Sequence, residues 1–507
     1  MRAFVLIVLA VFLNATTVAV AAQPGNPLPY LPADPLTTDL PSAINSELPN
    51  LSGPAAGILS KQEQYEVGYS VMMQMREQHV LLNDPETSEY IQGIGQRLAS
   101  QSADGGGYFH YVVPVTDEIN SFAVTGGWVF IFTALITDTR TESELAGVMA
   151  HETAHITQNH LLRGIQNEQR ASMTALAGML AAILLGALGG GGGDAIEGGI
   201  IASQGLAAQQ QIDFSRSEEE EADRVGIQYL AAAGFDPEAL ADYFERTMRE
   251  RSLQDSWVPG ILINHPADSD RIAEARSRAA QFPPVPDTSS PDYYLIRERV
   301  RVLTAPGDED IQKIYARRIA DGDRSLGTMY GNAVALIQDN RASQAIPILK
   351  KLITEHGDLH DLYATLGQAQ AKAGAMKDAL ATFRLAMQLF PRNVPVTMRY
   401  AQTLMADHKD AQAHDVLLDL FNNVEPTPDQ IELTARAAGA AGNLGDAYFY
   451  MGEYQIADGN LPLAARQYQL ALRTPHLTGV QRERIAARLK EVRDYLASAR
   501  QQQRQSE

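Results

Sequence analysis

Cysteine is absent from all 507 residues. No disulfide can cross-link this chain and no lipidated cysteine can anchor it, so covalent cross-links contribute nothing to its stability. A basic excess is missing too: 41 Lys and Arg stand against 61 Asp and Glu, for a formal charge of −20. From residue 291 onward the two signs balance at 26 each, so the whole acidic excess lies in the first 290 residues. Such a surface excludes nucleic-acid or anionic-lipid binding by bulk attraction. Long hydrophobic runs are few. Met1-Arg2, the apolar run Ala3 to Leu13 and the small residues Val20-Ala21-Ala22 read as a secretory signal peptide over 1–22. The other uncharged stretch, Ala171 to Leu188, reaches only the lower bound for a membrane span and is rich in Ala and Gly. It reads as part of a hairpin over 171–207 near the cleft, contacting a membrane or gating substrate.

The chain does carry His151-Glu152-Thr153-Ala154-His155, set in a helical pattern. Residues four apart on a helix share a face, so the two imidazoles can chelate one zinc ion while Glu152 reaches a metal-bound water. Leu145, Val148, Ala154 and Leu161 recur at helical intervals, which predicts one helix from Glu142 through Leu162. A catalytic zinc takes a third protein ligand. A third His in the metzincin pattern would need Gly at 158 and His at 161; Gln158 and Leu161 stand there, so that pattern fails. The candidate is the acidic run Glu218 to Glu221, which opens a second helix with an inward stripe of Ala222, Val225, Gly226, Tyr229 and Leu230. Projected backwards, the stripe selects Glu218 or Glu219 and turns Glu220 and Glu221 to solvent. Asp223 lies one turn below Glu219, where a carboxylate can hold an imidazole by its other nitrogen. Glu219 is thus the expected ligand and Asp223 its orienting partner. Taken alone, the acidic run reads as a solvated first turn.

The pattern His151-Glu152-x-x-His155 followed by Glu219-x-x-x-Asp223 resembles the gluzincin peptidase family that includes HtpX and the CAAX prenyl proteases. Asn120-Ser121-Phe122-Ala123-Val124-Thr125-Gly126-Gly127, leading into a strand from Trp128 to Phe132, is similar to a second family element. Relatives usually read N-A-F-A-x-P-G-G there, so Ser121 and Thr125 depart from the pattern, and neither departure is expected to touch the metal site. Asn264-His265-Pro266 before Arg271-Ile272 is similar to a third element, which implies that His265 either stabilises the oxyanion or takes the fourth zinc position. Pro266 is expected at the first position of a helix, with His265 at its mouth. His160 and His110 are read as structural.

The chemistry implied is peptide hydrolysis with one Zn2+ per chain, held by His151, His155 and Glu219, with Glu152 as general base. The Asn120 to Phe132 segment can also pair with an extended substrate as an added strand, if it lies at a sheet edge.

Beyond a stiff stretch at 282–290 the sequence repeats. From His360 the tetratricopeptide pattern is legible in Leu366-Gly367, Ala379, Phe383, Ala386 and Pro391, and again from Gly445 in Met451-Gly452, Ala464, Tyr468 and Ala471. Weaker copies start near Leu326 and Val394, and Ile485, Leu489, Val492 and Leu496 mark a sealing helix. The expected fold is mainly α: a gluzincin-type metalloprotease domain with a small β-sheet, then a helical repeat solenoid. The layout is signal peptide 1–22, Pro-rich arm 23–58, protease 59–281, linker 282–290, repeats 291–500 and a frayed tail 501–507. Leader, zincin core and repeats together resemble periplasmic proteases of outer-membrane protein quality control. The resemblance implies unfolded or stalled outer-membrane β-barrel proteins as substrates, the barrel-assembly machinery as partner and peripheral membrane contact. The second reading is a chaperone or docking scaffold whose protease site is mostly latent.

Overall fold

The computed structural model describes residues 59–102, 109–167, 216–252, 259–286, 289–307, 310–357 and 359–506. The expected leader, the Pro-rich arm and the uncharged hairpin lie outside these residues. The chain forms two compact units that divide between His408 and Lys409, not in the stretch 282–290.

The first described helix, α1 (Lys61–Glu77), starts at a capping box in which Ser60 and Glu63 satisfy each other's backbone N–H. Asp84 caps α2 (Pro85–Ala99) by accepting from Thr87 N, with Pro85 in the first turn. Three short strands follow: β1 (His110–Val112), β2 (Ser121–Val124) and β3 (Trp128–Ile131). The sheet order is β1-β3-β2, with β1 parallel and β2 antiparallel to β3, so β2 is an outer strand. Gly126 turns the chain between β2 and β3 at φ +83°, and a Cβ there would collide with the backbone of Gln64 and Tyr65. The Thr125 hydroxyl in this turn donates to Gln64 Oε1 at 3.1 Å.

After α3 (Thr133–Asp138) comes α4 (Glu142–Thr157), capped by the Thr141 hydroxyl and buried on every side from Glu142 to His155. It is the central rod of this unit. The single helix expected through Leu162 is broken: Gln158 caps α4, Asn159 adopts φ +54°, and α5 (His160–Asn167) sets off anew. Asn tolerates that left-handed conformation better than most residues, which is how the break is accommodated. Across α4 lies α6 (Arg216–Ala232), and Gly226 lets the two backbones close up. A Cβ on Gly226 would stand 3.0 Å from His151 N. Helices α7 (Ala239–Ser252), α8 (Gly260–Asn264) and α9 (Ser269–Ala279) complete the catalytic part.

The repeat helices begin without a break in packing. In α10 (Pro291–Leu303), Tyr293, Ile296 and Val300 belong to the same apolar core as Ile91, Leu145 and Leu230. That shared core is why residues 282–290 do not separate two bodies. α10 and α11 (Ile311–Ala320), which the sequence pattern did not reveal, precede the first repeat copy, and both pack on the helix that opens it. α12 (Leu326–Gln338) with α13 (Ala342–Glu355), and α14 (His360–Lys372) with α15 (Met376–Leu389), are the copies read from Leu326 and His360. α16 (Val394–Ala406) ends this unit. A buried ion cluster ties repeats to protease. Arg299 of α10 and Arg399 of α16 both bond the Asp84 carboxylate, at 2.7–2.8 Å, and Arg399 also takes Glu86 at 2.7 Å. Burial alone would raise the Asp84 carboxyl, but the two guanidinium groups outweigh it and hold it well below the usual range.

In the second unit α17 (Asp410–Phe421), α18 (Pro428–Ala440), α19 (Leu444–Ala457) and α20 (Leu461–Arg473) lead to α21 (Gly479–Ser506). Ile485, Leu489 and Val492 of α21 bury against Phe449, Ala464 and Tyr468, as the apolar stripe predicts. The tail expected to fray from 501 instead continues α21 to Ser506. Among the described residues no helix is long and apolar enough to cross a membrane.

Candidate metal centre and active site

Four side chains from two helices and one helix end converge within the first unit. His151 and His155 come from α4, Glu219 from the first turn of α6, and His265 from the end of α8; each is at most 3 % exposed. His151 Nε2 and His155 Nε2 are 2.9 Å apart. Glu219 Oε1 is 3.5 Å from His155 Nε2, and Glu219 Oε2 is 3.5 Å from His151 Nε2. His265 Nδ1 stands 3.2 Å from His151 Nε2 and 2.9 Å from Glu219 Oε1. Four ligands in tetrahedral array on zinc, at about 2.0–2.1 Å each, have edges of about 3.3 Å. The observed spacings bracket that value, so the donor set fits such an ion.

The remaining nitrogens explain why these rings point inward. Asp223 Oδ1 stands 2.9 Å from His151 Nδ1. His155 Nδ1 lies 2.8 Å from His160 Nδ1, whose Nε2 is 3.2 Å from Glu221 Oε2, and Arg163 donates to that same carboxylate oxygen at 2.6 Å. With the outer nitrogens engaged, two Nε2 atoms face each other in a dry site and need a proton or a cation between them.

His160 and Glu221 correct two expectations. His160 was expected off the metal-facing side and Glu221 in solvent. The break at Asn159 swings His160 back beside His155, and Glu221 follows it inward. His110 is structural as expected, stacked on Trp128 at 4.3 Å between ring centroids.

Arg271 gathers the acidic side of the site. Its guanidinium bonds Asp223 at 2.5 and 2.8 Å, stands 2.8 Å from Glu219 Oε2 and donates to Pro266 O at 2.9 Å. The helix it sits on starts at Ser269 with Asp268 as cap, and His265 instead ends the short α8. The expectation that Pro266 opens that helix is therefore wrong, because Asp268 supplies the stronger N-cap.

Glu152 is buried beside the four donors. Its Oε1 accepts from Ser121 Oγ at 2.7 Å and is 3.3 Å from His265 Nε2. Ser121 thus touches the expected base directly, and the expectation that its departure from the family pattern leaves the site alone is corrected. The signal was present: strand alternation puts Ser121 and Ala123 on one face, but not which helix that face meets. Burial by itself would depress the His265 ring, yet the Glu219 and Glu152 carboxylates raise it to about 10. His155 moves the opposite way, held well down by burial and then by His151.

Residues 85–279 match the model of Peptidase family M48. A β-barrel assembly-enhancing protease from Escherichia coli (strain K12) is 30% identical over 452 residues, covering 88% of this chain and 91% of that protein. The protein of the same name from Yersinia pestis matches at the same identity and coverage. Metalloprotease LoiP of Escherichia coli is 25% identical over 206 residues, covering 38% of this chain and 72% of that protein.

Proposed function

The chain belongs to the β-barrel assembly-enhancing protease family, and on that premise we propose that it is a periplasmic zinc endopeptidase that removes misfolded or stalled outer-membrane β-barrel proteins. The observation that carries this reading is the convergence of His151, His155 and Glu219 on one point with the Glu152 carboxylate beside it. In this reading these three residues hold the ion, Asp223 and His160 orient the two imidazoles, and Arg271 fixes both acidic partners. Bound zinc supplies an acidified water and a Lewis acid for the scissile carbonyl. Glu152 takes the proton of the attacking water and delivers it to the leaving nitrogen. Ser121 fixes the carboxylate rotamer that does so. The outer strand β2, which carries Ser121, offers unspecific main-chain pairing to an extended polypeptide. The helical repeats hold substrate or the barrel-assembly machinery, because stacked helical hairpins present a concave recognition surface.

A second observation refines the reading. His265 Nδ1 stands 3.2 Å from His151 Nε2 and its Nε2 3.3 Å from Glu152 Oε1, which supports reading it as a fourth donor that closes the site. This supports a peptidase that acts only when the α8 end withdraws. The alternative reading, a chaperone or docking scaffold with a mostly latent protease site, fits the same contacts.

The test is fragment release from an unfolded outer-membrane β-barrel by the purified, zinc-loaded mature chain beside Glu152→Gln. Cleavage by the parent alone is expected. Equal cleavage by both would remove Glu152 from its role, and cleavage by neither, with zinc bound, would leave the scaffold reading.

A further inference from the structure

We infer that a hollow beside His155 is a side-chain subsite, which takes a small apolar residue of the substrate on the N-terminal side of the bond cleaved. The inference rests on the peptidase reading above and adds to it what the enzyme selects. The hollow spans about 240 Å³, part of it open to solvent, and its walls include Ala123, Thr125, His155, Ile156, Leu161 and Leu162. Its inner part has room for about one water-sized group. It is continuous with the metal centre, because His155 is both a donor there and a wall here. β2 runs beside α4 in the same sense: Ser121 bonds Glu152, and two residues on, Ala123 shares the hollow with His155 and Ile156. Ser121 and Ala123 lie on one face of the strand, so the hollow extends the site in the direction away from Glu152. The break at Asn159 completes it, since α5 starts anew there and supplies Leu161 and Leu162 as further walls.

The chemistry sets the direction of the substrate. Glu152 delivers its proton to the leaving nitrogen, so the part of the substrate C-terminal to the scissile bond passes Glu152 and Ser121. The N-terminal part passes His155 and reaches the hollow. A chain laid this way runs from Thr125 toward Ser121, opposite to β2, which is the sense that an antiparallel added strand needs. The strand edge supports it. Phe132 N donates to Asn120 O, and Phe122 with Phe130 and Val124 with Trp128 continue that register. The main-chain groups of Ala123, between those pairs, therefore face away from β3 toward the outer edge. Pairing there holds the substrate in step with the hollow. Selectivity follows from the walls. None of them except His155 is ionisable, so a charged side chain would be buried without a partner and is rejected. An aromatic ring exceeds the inner room, whereas Ala or Val fits it.

Cleavage-site profiling tests the inference. The zinc-loaded mature chain, Leu161→Ala and Leu161→Phe each digest a synthetic peptide library, and the product ends are read by mass spectrometry. The parent is expected to enrich Ala and Val at one of the three positions N-terminal to the cleaved bond. At that position Leu161→Ala should shift the preference toward Leu and Phe, and Leu161→Phe toward Gly and Ala, each by about tenfold, as for a methylene gained or lost in an apolar pocket. One profile shared by all three active proteins would overturn the subsite and leave the peptidase reading intact. A shift confined to positions C-terminal to the bond would do the same. No cleavage by the zinc-loaded parent would overturn both. Should the Leu161 variants fail to fold, Ala123→Val narrows the hollow from the strand with a residue that strands favour, and an unmoved preference in that variant overturns the subsite.

Discussion

Replacing His265 by Ala should raise peptide cleavage. In the closed arrangement its ring is 2 % exposed, 2.9 Å from Glu219 Oε1 and 3.3 Å from Glu152 Oε1. Interactions with charged partners contribute about 1.5–3 kcal/mol each. Two at the lower end favour the closed form by about 3 kcal/mol, which leaves roughly one molecule in 150 open. Alanine cannot fill the fourth donor position or press on Glu152, so kcat/KM should rise by up to about two orders of magnitude. The assay is initial-rate cleavage of an unfolded barrel segment at saturating zinc, with bound zinc checked in both proteins. A fall of tenfold or more at unchanged zinc content would refute the reasoning and make His265 a stabiliser of the oxyanion. An unchanged rate would mean that the ring does not hold the site closed.

Other expectations follow from single contacts. Ser121→Ala removes the donor 2.7 Å from Glu152 Oε1; kcat should fall about tenfold with KM little changed, as for loss of one hydrogen bond to a charged group, and an unchanged kcat would deny Ser121 a positioning role. Gly226→Ala forces a methyl to 3.0 Å from His151 N; thermal denaturation should show a loss of about 1–3 kcal/mol together with weaker zinc binding, whereas intact zinc affinity would show that α6 and α4 can part without disturbing the ligands. His110 is pushed down to about 4 by burial. The unfolded chain therefore takes up a proton below its ordinary value near 6.5 that the folded chain refuses. Stability is full above that value and is lost as pH falls toward 4, by at most about 3 kcal/mol. His110→Phe, which keeps the stacking on Trp128, should flatten the fall in Tm between pH 7 and pH 5, and an identical fall in both proteins would assign the acid sensitivity elsewhere.

Much of this was legible because local rules act over one or two turns. The four-residue spacing of His151 and His155, the stripe behind Glu219 and the repeat offsets at Gly367 and Gly452 all follow from helix geometry. What escaped depended on breaks in that geometry. His160 is five residues from His155 and belongs on another face of a continuous helix; only the turn at Asn159 brings it back. Ser121 meets Glu152 because β2 crosses α4, a pairing that no local pattern encodes. The place of α10 escaped because Tyr293, Ile296 and Val300 pack on the protease core, so that helix does not obey the repeat's internal pattern. For the same reason the Pro-rich stretch at 282–290 looked like a boundary between bodies.

The most direct test of the account is a crystal structure of the zinc-loaded mature chain with anomalous data at the zinc edge. The account predicts an ion equidistant from His151 Nε2, His155 Nε2 and a Glu219 oxygen, at about 2.0–2.2 Å, with His265 Nδ1 as its fourth ligand. Zinc held by any other trio, or no anomalous peak between α4 and α6, would contradict it.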